Sequence, residues 1–446
     1  MSNYGKTKLE FTVISIILVS ITFNILHNHK TPKILSITLN SSFRTQSLQN
    51  HLFLNQPGYQ KSLIELFTEE AEVPISISGI RSTGKAIKAI SLNFVDCAFI
   101  AISRETILKE LELITPSLLN LQYTVSGYQS QKSQFTNESH KISYWVTPES
   151  YEKVILQGKS DFNDREKNSF SVINPDRVYS KIQSNRRKLI ISNQWISKSL
   201  NRYHYDIVTQ TKIKDDVRLI IVCNKIKNKQ IQTLKNFFYE KKNFQKIKRL
   251  RERYFGYLNE LSIEDKNAFI QRLSSRLPKL ESIFREASSF YGMNWHLLAA
   301  LGYQESQWNP EAVSPTGVKG LMMLTKPTAK SLGVTNRKSV RQNIFAATYY
   351  LRILRDNLPA SVKEPDRTWM ALAAYNVGNA HLEDARILAV RMGLNPNYWQ
   401  SVKRTLPLLA KKIHYQSLKR GYARGGQAVK LVERVRNFHD MLAYLR

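Results

Sequence analysis

Cysteine is scarce: the 446 residues hold two, Cys97 and Cys223, neither with a His or Cys neighbour at metal-ligand spacing. No zinc site is expected, and neither another metal nor an organic cofactor is implied. Both thiols lie in apolar, strand-like runs, VDCAFIAI and VRLIIVCN, and sequence leaves open whether they pair or stay as buried free thiols. Negative charge is also short, with 35 Asp and Glu against 66 Lys and Arg, a net charge of +31. Residues 213–253 are dense in Lys and Arg, yet no zinc-finger or RNA-recognition motif surrounds them, so nucleic acid is not an expected partner. A basic exported protein meets other anions, namely cell-wall peptide carboxylates and acidic lipid headgroups. Near the N-terminus the apolar run 11–26 falls short of the roughly 20 residues a spanning helix wants, and it contains Ser15, Ser20, Thr22 and Asn24. Following Lys6 and Lys8, residues 1–32 read as a secretory signal or a marginal membrane anchor. The flank HNHKTPK lacks the small-residue pattern of a cleavage site, which favours the uncleaved anchor. With no cysteine near residue 26, lipidation there is excluded.

What is present argues for folded structure. Hydrophobic residues make up 42% and aromatics 10%, too much for disorder, and the length calls for two domains. Over 33–257 strand-like runs at 34–39, 94–102, 188–192 and 217–222 alternate with longer helical or loop stretches, the pattern of an α/β domain. From residue 258 to 446 the chain reads as all-α. Apolar residues recur at helical spacing over 267–290, Asn294 is a candidate N-cap, and helices are expected over 340–358 and 366–375.

The most informative stretch is 299–325, AALGYQESQWNPEAVSPTGVKGLMMLT. It sets Glu305 at the end of an apolar helix, on one face with Leu298 and Leu301, ahead of a loop rich in small and hydroxyl residues. A carboxyl group on a core-facing stripe resists ionising and can stay a proton donor near neutral pH. Glycosidic cleavage asks for such a donor. A hydrolysing glycosidase generally needs a second carboxylate. Near Glu305 the only other acid is Glu311, in the outward-reading turn NPEAV.

Three blocks follow in order: Glu305–Ser306, then GLMMLT at 320–325, then AAYNVG at 373–378. They resemble the catalytic domain of the lytic murein transglycosylases, whose fold is related to goose-type lysozyme. The resemblance covers roughly 278–446. The wording YQESQWNPEAVSPTGVKGLMMLTK, with GYARGG at 421–426, is most similar to the membrane-bound F type. That likeness implies a two-lobed N-domain of the periplasmic-binding-protein kind over 33–257, with weak echoes at 92–107 and 156–163. It also implies a lyase that cleaves the MurNAc–GlcNAc bond of peptidoglycan strands without water, leaving 1,6-anhydro ends. A muramidase-type hydrolase and a non-catalytic wall-binding scaffold are the alternatives.

By the same resemblance Glu305 is the catalytic acid and base. Ser306, Ser314 and Thr316 would contact the sugar, Met322 would floor the cleft, and Tyr375 and Asn376 would line it. Arg104 is the candidate carboxylate clamp of the N-domain, with cell-wall peptides as its ligands. The location implied is the periplasmic side of the envelope, membrane-associated: the outer membrane by resemblance, the inner if residues 1–32 are uncleaved. Two positions bear on the family pattern. Met323 stands where many transglycosylases carry Gln, as in the F type, and Gln427 stands where the F type usually has Glu.

Overall fold

A computed structural model describes residues 34–40, 58–80, 83–103, 111–128, 143–146, 169–172, 188–203, 206–213, 217–225, 228–258 and 261–446. The expected signal or anchor at 1–32, Arg104 and the 156–163 echo lie outside the described residues. No helix among the described residues is long and apolar enough to cross a membrane.

The N-terminal half is built on two sheets. Strands β1 (Leu35–Asn40), β2 (Ile75–Ile80), β3 (Cys97–Ser103), β4 (Leu111–Leu113) and β5 (Leu119–Leu121) belong to the first. Strands β6 (Tyr123–Tyr128), β7 (Ser143–Val146), β8 (Ser169–Val172), β9 (Leu189–Asn193) and β10 (Ile207–Lys212) form the second, before β11 (Val217–Asn224) returns to the first. The first sheet runs β2-β1-β3-β11-β4, with β5 also on β11; the second runs β10-β6-β9-β7-β8. β1 pairs in parallel with β2 and β3, whereas β11 lies antiparallel to β3. The chain thus crosses between sheets twice, after β5 and after β10, and this makes the unit two-lobed. The strands expected at 34–39, 94–102, 188–192 and 217–222 appear as β1, β3, β9 and β11. In β3, β9 and β11 consecutive apolar residues are buried on both faces, as a covered sheet requires, whereas β1 buries Leu35, Ile37 and Leu39 on one face.

The open question about the thiols is answered by register. Cys97 and Cys223 stand opposite each other on β3 and β11, and they form a disulfide. Spacing along the chain could not reveal this, because 126 residues separate them.

The second half is helical and has its own core. Apolar residues up to Leu258 pack with the sheets, and those from Leu261 onward pack with one another. The 267–290 stretch is not one helix. It divides into Ile263–Ser275, a short 3-10 turn Leu277–Lys279 and Glu281–Tyr291. Pro278 has no amide hydrogen to donate and fixes its own φ, so the continuous helix cannot pass through it. The other two expected helices run Val340–Asp356 and Asp366–Val377. At the centre lies Trp295–Ser306, whose residues from Leu297 to Tyr303 are all buried. A helix apolar on every side belongs inside a domain rather than on its surface. Asn294 caps it, its side chain accepting from the Leu297 amide at 3.1 Å.

The final helix, Gly425–Leu445, lies against this central one, with Phe438 edge-on to Tyr303 at 4.6 Å between ring centroids. Its other face ties the two halves together. Asp440 accepts a 2.7 Å hydrogen bond from the Tyr257 hydroxyl and pairs with Arg202 of the second lobe. The fully buried Arg436 guanidinium is sandwiched between Tyr257 and Trp369, 3.7 Å from each ring centroid. Part of the basic run at 213–253 is spent here. Arg249 pairs with buried Asp366 at 2.6 Å, while Glu252, an acid within the same stretch, takes Lys403 at 3.0 Å.

Candidate active site

Glu305 sits one residue from the end of the central helix, and the chain beyond it turns through an uncommon geometry. Gln307 and Trp308 both adopt left-handed backbone, at φ 56° and 61°. Side chains at such angles persist only when their surroundings hold them. Here Trp308 is buried, its indole donates to the Ala299 carbonyl at 2.8 Å, and Arg276 holds the Gln307 carbonyl at 3.0 Å. The turn therefore fixes where the helix stops and the following loop begins. Neither Trp308 nor Arg276 was singled out from sequence.

The floor beneath comes from the GLMMLT block. Met322 is fully buried and packs on Gly302, where an added Cβ would meet Leu321 at 2.9 Å and the Met322 sulfur at 3.0 Å. Glycine at 302 thus lets the floor approach the helix. Gly320 is demanded twice over, by φ +88° and by the Arg337 carbonyl 2.0 Å from where a Cβ would stand. Asn343, buried on the helix Val340–Asp356, accepts from the Met322 amide at 2.6 Å and donates to the Arg337 carbonyl at 2.9 Å. Tyr375 donates from its hydroxyl to the Met322 carbonyl at 2.7 Å. Asn343 and Tyr375 thus clamp Met322 from its two backbone groups.

Asn343→Leu leaves the buried Met322 amide and the half-buried Arg337 carbonyl without this partner and should lower stability by about 2 kcal/mol. Urea unfolding of the purified chain measures this, and an unchanged midpoint would show that Asn343 is dispensable.

Electrostatically Glu305 is alone. It keeps a little exposed surface, but burial pushes its carboxyl up to about 8 from an ordinary 4.5, with no neighbouring charge contributing. Its negative charge in turn helps raise Tyr375, after the larger effect of burial, so the two groups are near each other. Tyr350 stands behind Tyr375, 5.6 Å between ring centroids. Glu311 is exposed and paired with Lys338, facing away from any shared role. Among the described residues no three His, Cys, Asp or Glu side chains gather as metal ligands would.

The remaining sequence candidates divide. Met322 and Tyr375 are brought together with Glu305. Ser306 serves its own turn, donating to Gly302 at 3.3 Å and accepting from Asn309 at 3.0 Å. Ser314 accepts from the Val318 amide at 3.0 Å and meets the Thr316 hydroxyl at 3.0 Å, so both shape the loop. Asn376 is exposed beside Tyr375. Gln427 is exposed in the first turn of the last helix, while Leu431 enters the core.

Residues 282–389 match the family model of the transglycosylase SLT domain. A "membrane-bound lytic murein transglycosylase F" of Saccharophagus degradans is 50% identical over 208 residues, 47% of this chain and 42% of that one. Its namesake in Thiobacillus denitrificans is 51% identical over 199 residues, covering 45% and 42%. Just under half of this chain is similar to these transglycosylases, and the SLT-domain match lies in the helical half. The match spans less than half the length of the curated relatives. About half of the chain also aligns, at low similarity, with solved amino-acid-binding proteins. One is the substrate-binding protein AbpA of Streptococcus pneumoniae, bound to L-arginine: TM-score 0.41, 14% identity, 53% of this chain and all of that one.

Proposed function

We propose that this chain is a peptidoglycan lytic transglycosylase that cleaves the MurNAc–GlcNAc bond without water. The observation that carries the reading is the isolation of Glu305, a carboxyl held protonated by burial with no second acid acting on it among the described residues. Two-carboxylate hydrolysis is awkward at such a site, whereas a single group can serve a reaction that supplies its own nucleophile. Glu305 first gives its proton to the bridging oxygen as that bond to the anomeric carbon breaks. The resulting carboxylate then takes the proton of the muramoyl C6 hydroxyl, whose oxygen closes onto the anomeric carbon. The tethered attack gains a high effective molarity, and the acid ends as it began. Met322 and Tyr375 would set the floor and wall. Ser306, Ser314, Thr316 and Asn376 would touch sugar only where their local bonds leave a free lone pair or proton.

We assign residues 258–446 to catalysis and 33–257 to regulation, with cell-wall peptides as ligands and Arg104 as a clamp to be tested. That the relatives are membrane-bound murein transglycosylases by name supports an envelope membrane as the place of work. Digestion of sacculi followed by mass spectrometry tests the reaction. Muropeptides with 1,6-anhydromuramic ends are expected; reducing ends alone would make the enzyme a muramidase, and no release would favour a scaffold.

The pH dependence has a definite sign. The reaction opens with the protonated acid, so activity should be retained below about 8 and fall about tenfold per unit above it. A rate that rises through that window would mean Glu305 is needed ionised from the start.

A further inference from the structure

A cavity of about 560 Å³ opens between the short helix Lys326–Ser331 and the turn at 333–338, with Lys319 on its loop side. Its charged lining is wholly basic: Lys319, Lys326, Lys330, Arg337 and Lys338. Arg337 is committed to the carbonyls of Gly317 and Leu324, at 2.9 and 3.1 Å, and Lys338 to Glu311. Lys319, Lys326 and Lys330 have no carboxylate partner among the described residues. Three like charges around one concavity repel, and an anion placed among them relieves that repulsion. No aromatic side chain lines the cavity to stack a nucleobase, and its size suits a few residues of peptide.

The cavity is also joined to the candidate active site. Lys319 bridges Val313 and Leu324 through its backbone, on the loop that carries Ser314 and Thr316. Arg337 grips that loop at Gly317, and its own carbonyl is held by Asn343, the residue that also holds Met322. Cavity wall and catalytic floor are therefore one braced unit.

We propose that this cavity is a subsite for the carboxylates of an acidic peptide carried on the glycan strand, an inference that rests on the peptidoglycan reading above. It would select strands that bear peptide stems over bare ones.

The test uses the full chain and two substrates, glycan strands with stems and the same strands stripped of them by an amidase. Lys326→Gln/Lys330→Gln should raise KM on the stemmed strands about five- to tenfold and leave kcat and the bare-strand KM unchanged. Lys411→Gln/Lys412→Gln removes equal charge elsewhere in the domain and should change neither. An equal rise on both substrates, or none, overturns the proposal. Binding of a fluorescent free stem peptide to the Glu305→Gln chain gives a readout that needs no turnover. The N-terminal unit is assigned a peptide site of its own, so the lysine pair should weaken one of two binding events by a similar factor and leave the other unchanged. An isotherm unchanged throughout overturns the proposal. Inorganic phosphate competing as well as the peptide at equal concentration would assign the site to phosphate instead. If the wild-type chain cuts neither strand, the transglycosylase reading fails, and the peptide-binding arm still decides this one.

Discussion

Glu305→Gln should reduce product release by a factor of about 100 or more, and the variant should be at least as stable as the wild type. The amide keeps the shape of the side chain but can neither give up nor recover a proton. Its effect on stability follows from burial. The folded-state pKa of Glu305 lies above its ordinary value, so folding retains a proton that the unfolded chain releases. That contribution is complete below about 4.5 and is lost as pH rises through about 8. The amide carries no such loss. At pH 8 the Gln variant should therefore melt above the wild type by a few degrees, ~1 kcal/mol or more, and the gap should close toward pH 5. Activity and stability move in opposite directions, which a merely structural carboxylate would not produce. Near-normal turnover in a folded Gln variant would remove Glu305 from the mechanism.

The second large effect is expected far from the sugar. Asp440 is buried at the junction of the halves, between Arg202 and the Tyr257 hydroxyl, with Arg436 close by. Asp440→Asn can still accept from Tyr257, but it removes the negative charge that the buried Arg202 guanidinium pairs with. Removing one partner of a buried pair typically costs about 3–5 kcal/mol, because the surviving ion cannot return to water. Replacing Arg202 and Asp440 together by Met and Leu should cost less than Asp440→Asn alone. Chemical denaturation of the single and double variants measures both, and a single variant within about 0.5 kcal/mol of wild type would show that water reaches the pair. Since the helix bearing Asp440 also packs on the helix bearing Glu305, through Phe438 and Tyr303, this junction links the N-terminal unit to the acid.

How far sequence could see these features depended on their range. Glu305 was legible because its helical face and the lack of a second acid nearby are local features, and the three short blocks follow one another in order along the chain. The strands β1, β3, β9 and β11 were legible from their buried apolar runs. Features built from distant partners were not. Asn343 reaches Met322 across 21 residues, and nothing about an Asn inside a helix announces that it holds a backbone amide. The disulfide required the register of β3 against β11. The Arg436 sandwich needed Tyr257 and Trp369 brought together from separate elements. Trp308 carried a faint local signal, an aromatic directly after the helix end, but its buried left-handed backbone appears only in three dimensions. The break at Pro278 was readable in principle, since proline inside a helical pattern is a local steric fact. The hydroxyl groups carry two readings at once. Ser306, Ser314 and Thr316 stand where a sugar contact would be useful, yet each already serves its own turn.

The central claim is that one buried carboxyl works without external water. Digestion of sacculi in water enriched in oxygen-18 tests it most directly, with the products weighed by mass spectrometry. The account predicts 1,6-anhydromuramoyl ends that carry no heavy oxygen, because the C6 oxygen of the substrate itself closes the ring. Reducing ends that carry one heavy oxygen at the anomeric carbon would contradict it.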